Sequence, residues 1–337
     1  MAASENREGP LRLACGSFRM EAENFVDIFE VDTSAQEVVR QTARLPHYFP
    51  ATRTRWIAAP PGAGTDLVVT SGDRLRIWSV TGELRSLLAQ EANPQGFATP
   101  ITSTDASVEA GSVELVSVDV YGVCSLWDAE RGQRLQALDL GQPLSDVAFG
   151  PGRLIVASGD RGHCFVMDPR KPEDAAVLES RSCSVSGPSR VVWPRHRHDA
   201  LAVAWQSGES CIALYTGLRQ AGSQVGTQQR ILSRTGASVA ELQWSSTYPE
   251  FLFSCKEDGV AEMWHVGAED APDGVHMQAP AYQWNFGREE ACTALAVSGK
   301  ETLLVATMSK QAKSNGGSLW IAGLPQTGIA RPVLGGS

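Results

Sequence analysis

The sequence predicts an all-β fold, a seven-bladed propeller, and three observations point to it. First, a short pattern of alternating apolar residues ending in a large side chain recurs. It reads VDIF (26–29), LRIW (75–78), CSLW (124–127), CFVM (164–167), IALY (212–215), AEMW (261–264) and GSLW (317–320). Second, the closing residues Phe29, Trp78, Trp127, Met167, Tyr215, Trp264 and Trp320 follow one another at steps of 49, 49, 40, 48, 49 and 56 residues. A β-rich unit of this length repeated seven times is the signature of propeller blades. Third, each copy is preceded by a short run rich in Val, Ile, Leu, Thr and Phe and by a turn of Gly, Asp and Ser. This is strand and turn chemistry. No amphipathic run long enough for a substantial helix stands out.

The third unit shows how each strand is assigned. ITSTDAS (101–107) is the innermost strand, VELVSVDV the second, VCSLWD the third and RLQALDL (134–140) the outer edge. LSDVAFG (144–150), RVVWP (190–194), AELQW (240–244) and TALAV (293–297) open later units. The repeat ring sits on the third strand, between neighbouring blades. Removing such a side chain costs about 3–5 kcal/mol, so these positions are core. Asp73, Asp119, Asp160 and Asp258 fall between second and third strands, where a carboxylate accepts backbone N–H bonds and tightens the turn. The first unit is short. LRLACGSF and FVDIFEVD give its second and third strands, but the polar residues 1–10 supply no obvious inner strand. Either the ring closes unusually or sequence is missing before it. Residues 11–335 are read as a single propeller, with ARPVL (330–334) as its last outer strand.

Composition narrows the function classes. The chain has 337 residues, 42% apolar and 20% charged, which is globular. Its net charge of −9 and pI near 5.3 argue against direct nucleic-acid binding, which needs a basic face. The longest apolar run, Ala200 to Trp205, is far short of the ~20 residues of a membrane helix. The N-terminus lacks the apolar stretch of a signal peptide. Seven cysteines without a CxxC pair predict a reducing compartment and free buried thiols.

Chemistry is sparse. No GxSxG elbow, GxxxxGK[ST] loop or GxGxxG occurs. Glu289-Glu290 lie in a loop, and the two histidines His196 and His198, with Asp199 adjacent, have no third ligand in view, where a zinc site usually needs three or four with support behind them. The inner strands offer Asp105 and Asp146, a thin set for catalysis. No catalytic residue, cofactor site or metal site is therefore assigned, and the chain is read as a non-enzyme. Two basic spots, ATRTRW (51–56) and PRHRHD (194–199), suit contacts with protein partners through Arg53, Arg55, Arg74 and Arg195, because arginine offers a planar fork of donors.

Several stretches resemble one WD-repeat subfamily, which holds the plant transparent testa glabra protein and an animal cullin-4-associated factor. They are LACGSF (13–18), YFPATRTRWIAAP (48–60), DLVVTSGDRLRIWSV (66–80), FATPITSTD (97–105), CSLWDAERGQ (124–133), LSDVAFG (144–150) and VMDPR (166–170). No Gly-His pair opens a unit, as is usual in WD repeats, and Trp-Asp occurs once, at Trp127-Asp128. The resemblance implies a scaffold found in cytoplasm and nucleus, a monomeric propeller working within a complex. Its implied partners are MYB or basic helix-loop-helix transcription factors, dual-specificity kinases, or the cullin-4 ligase linker. The docking motif of cullin-4 adaptors ends in Trp-Asp-x-Arg; VMDPR matches at Asp168 and Arg170 and carries Met167 in place of the ring. A substrate receptor of that ligase is the alternative reading.

Overall fold

The computed structural model describes residues 1–3, 10–19, 23–32, 39–58, 66–88, 99–109, 112–179, 188–194, 200–206, 210–221, 224–246, 248–266, 279–286, 290–299, 303–311 and 317–323. The all-β propeller arrangement holds. Among the described residues there are six four-stranded antiparallel sheets and a three-stranded seventh, each a meander in chain order. The one helical turn among the described residues, Pro151–Arg153, is 3-10. The chain divides into two compact units, Met1–Phe149 and Gly150–Ser337.

The first unit begins with β1 (Ala2–Ala3), β2 (Leu11–Gly16), β3 (Asn24–Val31) and β4 (Val39–His47). The second sheet holds β5 (Arg53–Ile57), β6 (Leu67–Ser71), β7 (Leu75–Ser79) and β8 (Leu84–Leu88). The third holds β9 (Ile101–Glu109), β10 (Ser112–Asp119), β11 (Val123–Asp128) and β12 (Gln133–Asp139), and β13 (Leu144–Phe149) follows. The first strands β1, β5, β9 and β13 lie side by side. Outer strands alternate toward solvent: in β12 no residue is fully buried.

The first sheet corrects the expectation of a missing inner strand. Ala2 and Ala3 pair with Ala14 and Leu13, and the Trp56 indole donates to the Ala2 carbonyl at 3.0 Å. Two small residues suffice because the neighbouring sheet supplies the anchor, which no local sequence pattern reveals.

The second unit contains β14 (Ile155–Gly159), β15 (His163–Asp168) and β16 (Lys171–Glu179), then β17 (Pro188–Val192), β18 (Ala200–Trp205), β19 (Ser210–Ala221) and β20 (Gln224–Thr235). β21 (Val239–Trp244), β22 (Phe251–Lys256), β23 (Val260–His265) and β24 (Tyr282–Asn285) make the sixth sheet, and β25 (Glu290–Gly299), β26 (Leu303–Gln311) and β27 (Gly317–Gly323) the seventh. The Trp244 indole repeats the Trp56 device, donating to the Val192 carbonyl at 3.2 Å. The expected last strand at 330–334 lies outside the described residues.

The repeat rings explain themselves. Trp78 packs with Val26, Ile28 and Val68, and Trp127 with Ile57, Leu75 and Leu88, each between neighbouring sheets. Trp264 sits likewise with Ala202, Leu214 and Leu242. A buried indole needs an acceptor. Trp78 donates to Thr70, Trp127 to Ser117 and Trp264 to Ser254, at 2.9, 2.9 and 3.0 Å. Where the repeat residue lacks an N–H, the hydroxyl is lost too. Phe29, Met167 and Tyr215 pair with Leu13, Ile155 and Leu201, and two residues on stand Cys15, Ala157 and Val203. Met167 and Tyr215 are buried, while Phe29 is only half-buried. Trp320 pairs in register with Thr307, and its side chain lies outside the described set. Ser117→Ala leaves the Trp127 N–H buried without its acceptor. The expected cost is about 1–3 kcal/mol, read from urea unfolding, and Trp127→Phe in the same background should recover part of it.

The four turn aspartates do not share one role, which corrects their reading as equivalents. Asp119, four residues before β11, accepts from the amides of Tyr121 and Val123 at 2.9 and 3.0 Å. Asp258, two before β23, accepts more weakly from Val260 at 3.3 Å. Asp73 instead takes a bidentate bond from Arg76 at 2.8 and 3.1 Å, and Asp160 is exposed. Asp73 and Asp258 stand at the same offset from their third strands and still meet different donors, because Arg76 follows Asp73 on its strand and engages it.

Five cysteines, Cys15, Cys124, Cys164, Cys255 and Cys292, are free and buried. Burial pushes the Cys124 thiol up to about 12 and Cys15 to about 11, so both stay protonated. Cys211 is disulfide-bonded, which corrects the expectation of free thiols throughout.

Candidate interaction surfaces

In a meander, the turn between the second and third strands and the link to the next sheet fall at the same end. At this end of the first unit stand the β2–β3 loop, the β4–β5 link and the β6–β7 turn. Arg74 is exposed on that turn.

Arg53 and Arg55 differ from the expectation of surface contacts. Both lie within β5. Arg53 is 7% exposed, and its guanidinium stands 3.7 Å from Asp146, itself 1% exposed on β13. The Ser103 hydroxyl on β9 donates to the same carboxylate at 2.6 Å. Arg55 pairs with Asp105 at 3.3 Å, and Asp105 also accepts the Phe149 amide at 2.9 Å. The two carboxylates considered for catalysis are therefore committed to arginines, and the arginines to holding first strands together. Buried charge survives only when paired and hydrogen-bonded. Arg195 lies outside the described residues, as do His196, His198, Asp199 and Glu289.

Asp168 and Arg170 form a self-contained clamp in the turn between β15 and β16. Asp168 accepts the Arg170 amide at 2.9 Å and both edges of its guanidinium, at 2.8 and 2.6 Å. Those bonds hold the Asp168 carboxyl below the usual carboxylate range. Arg170 also donates to the Gly152 carbonyl at 3.2 Å. The aspartate is buried, yet the arginine side chain is 60% exposed. The arrangement presents a fixed cation to solvent, oriented for a carboxylate or carbonyl partner. Asp128 and Arg131, in the corresponding turn of the third sheet, are looser: Asp128 accepts the amides of Glu130 and Arg131, and the charged groups stand 3.7 Å apart.

The structure adds a surface the residue-type search passed over. Phe18, Tyr48 and Phe49 are exposed by 75%, 60% and 52%. The Tyr48 and Phe49 rings meet edge to face, centroids 4.8 Å apart. A cavity of about 520 Å³ beside them is lined by Arg19, Asn24, Phe25, Arg44, His47 and Tyr48, among others. The signal was present in YFPAT (48–52): two large rings before a proline, in a linker rather than a strand.

No family model matches the chain. It is 29% identical over 214 residues to a Dictyostelium discoideum protein described as a DDB1- and CUL4-associated factor 7 homolog, covering 61% of this chain and 64% of that protein. The match thus spans slightly under two thirds of the curated relative.

Proposed function

We propose that this propeller is a non-catalytic scaffold that assembles protein complexes, working as a monomer within them in the cytoplasm and nucleus. The observation that carries this reading is the likeness to a protein described as associated with DDB1 and CUL4. The geometry supports it: the inner carboxylates Asp105 and Asp146 are engaged by arginines, while the loops present exposed rings and cations. Loops on a rigid frame are where binding residues concentrate. MYB and basic helix-loop-helix factors or dual-specificity kinases are the first cargo to look for.

A second reading, a substrate receptor of a cullin-4 ligase, is favoured by one observation. The Asp168-held Arg170 projects from its turn, ready-made for a docking contact. Affinity capture with mass spectrometry on the wild type and Arg170→Glu tests both. The expected result is cargo recovered equally by the two proteins, with the DDB1–cullin-4 linker reduced about tenfold or more by Arg170→Glu. Linker recovered equally by both would overturn the docking role of Arg170. Cargo recovered by neither would overturn the scaffold.

A further inference from the structure

We infer that the first unit is built to sit on a ubiquitin-transferring enzyme without becoming its acceptor, because its surface withholds the lysine amines that the transfer needs. This rests on the ligase-receptor reading and says how a docked chain escapes its own ligase.

The choice of cation is one-sided. The chain has five lysines against twenty-four arginines, and no lysine falls within residues 1–170. The first unit, Met1–Phe149, therefore contains none. Ubiquitin transfer joins a lysine Nζ to the C-terminal carbonyl of ubiquitin. The carbonyl–sulfur bond of the thioester breaks, the carrier enzyme's cysteine leaves as a thiolate, and the nitrogen gives up a proton. A guanidinium stays protonated with its charge delocalised, so arginine does not take the part of lysine in this step.

Folding explains only some of these arginines. Arg44 grips both carboxylate oxygens of Asp27, and Arg76 both of Asp73. Such contacts need the planar fork. Arg40 and Arg85, on the outer strands β4 and β8, are different. Arg40 is 68% exposed and meets Glu30 at 2.7 Å, while Arg12 holds that carboxylate from the other side. Arg85 meets Glu83 at 3.0 Å, with both side chains more than half exposed. An exposed ion pair adds little stability whichever cation makes it, so lysine would serve the fold equally at both positions.

Where a lysine side chain is described, it is either buried or at the docking turn. Lys256 is buried, and its ammonium donates to Glu262 at 2.8 Å. Lys171 is exposed and directly follows Arg170, so a partner seated on Arg170 covers it. The side chains of Lys300, Lys310 and Lys313 lie outside the described residues. A docked chain is held beside the loaded thioester, and proximity of that kind raises reaction rates steeply. An amine on the first unit would compete with the cargo for every ubiquitin delivered. Arginine there keeps the surface charged and soluble and leaves the cargo as the acceptor.

The test reconstitutes ubiquitin transfer from the full chain, DDB1, the cullin-4 ligase, a ubiquitin carrier enzyme and ATP. Wild type is compared with Arg40→Lys/Arg85→Lys, and peptide mass spectrometry locates each attached ubiquitin. The double variant keeps its charges, so an unchanged melting curve and unchanged capture by DDB1 are expected of it. It should gain ubiquitin at positions 40 and 85, with total modification rising about tenfold over wild type. Adding Arg170→Glu should abolish the gain. An active ligase that leaves positions 40 and 85 bare on a docked variant would overturn the inference, as would a gain that persists undiminished with Arg170→Glu. A wild type that DDB1 does not capture at all would overturn the ligase-receptor reading and this inference with it, so the two failures are read separately. Acetylation by an N-hydroxysuccinimide ester checks the docking turn. Lys171 should label in the free chain and be protected about tenfold by bound DDB1, and equal labelling would overturn its covering.

Discussion

Asp146→Ala should destabilise the folded chain by about 3–5 kcal/mol, the largest effect expected from a single polar substitution in the first unit. The reason is what it leaves behind. Arg53 is 7% exposed, and Asp146 is the carboxylate facing it. Removing the anion takes the paired charge from a buried guanidinium and the acceptor from the Ser103 hydroxyl as well. Arg53→Met/Asp146→Leu should recover most of the loss, because an apolar pair of similar volume carries no desolvation penalty. Urea unfolding of the two single variants and the double variant gives the coupling directly. If the double variant were as unstable as Asp146→Ala, the pair would not be the source, and strand packing around β13 would be.

This pair also shows where the sequence stops being legible. The repeat was readable because each unit fulfils its own needs locally: a ring on the third strand and, where the ring has an N–H, a hydroxyl on the second. Strand positions in the third unit follow the same local logic. Arg53 and Arg55 were read as surface because TRTR looks like a basic loop. Their partners Asp146 and Asp105 lie in other repeat units, and nothing in the local alternation announces a carboxylate on another sheet. The first strand of the first sheet escaped for the same reason, since Trp56 reaches it from the next sheet. Asp168 and Arg170 entered through the resemblance as docking positions, and that one clamps the other is a finding of the structure. The Tyr48–Phe49 platform was visible as a motif but not as a surface, since exposure depends on what packs above the linker.

Acidification should weaken this protein before its carboxylates titrate, and His47 is the reason. It ends β4 at 5% exposure, 5.8 Å from the Trp78 ring, and neither ring nitrogen has a hydrogen-bond partner among the described residues. Burial, reinforced by the nearby Arg76 charge and only partly offset by Asp73, lowers its pKa to about 4. A free histidine titrates near 6.5. Between these values the unfolded chain takes up a proton that the folded chain refuses, so stability falls as pH drops from about 6.5 to about 4, by at most about 3 kcal/mol. The paired carboxylates act in a lower window. Glu30, held down by Arg40 and Arg12, and Asp168, held down by Arg170, keep their contribution until the pH falls through their lowered values. Asp119 has the opposite sign. Burial raises its pKa despite three backbone N–H bonds, so its protonation favours the folded state as acid is added. His47→Phe, which keeps a ring against Trp78, should flatten the slope between pH 6.5 and 4.5 while leaving the fall below pH 4 in place. Urea midpoints at pH 7, 5.5 and 4.5 measure it, and an unchanged slope in His47→Phe would move the proton uptake to another histidine.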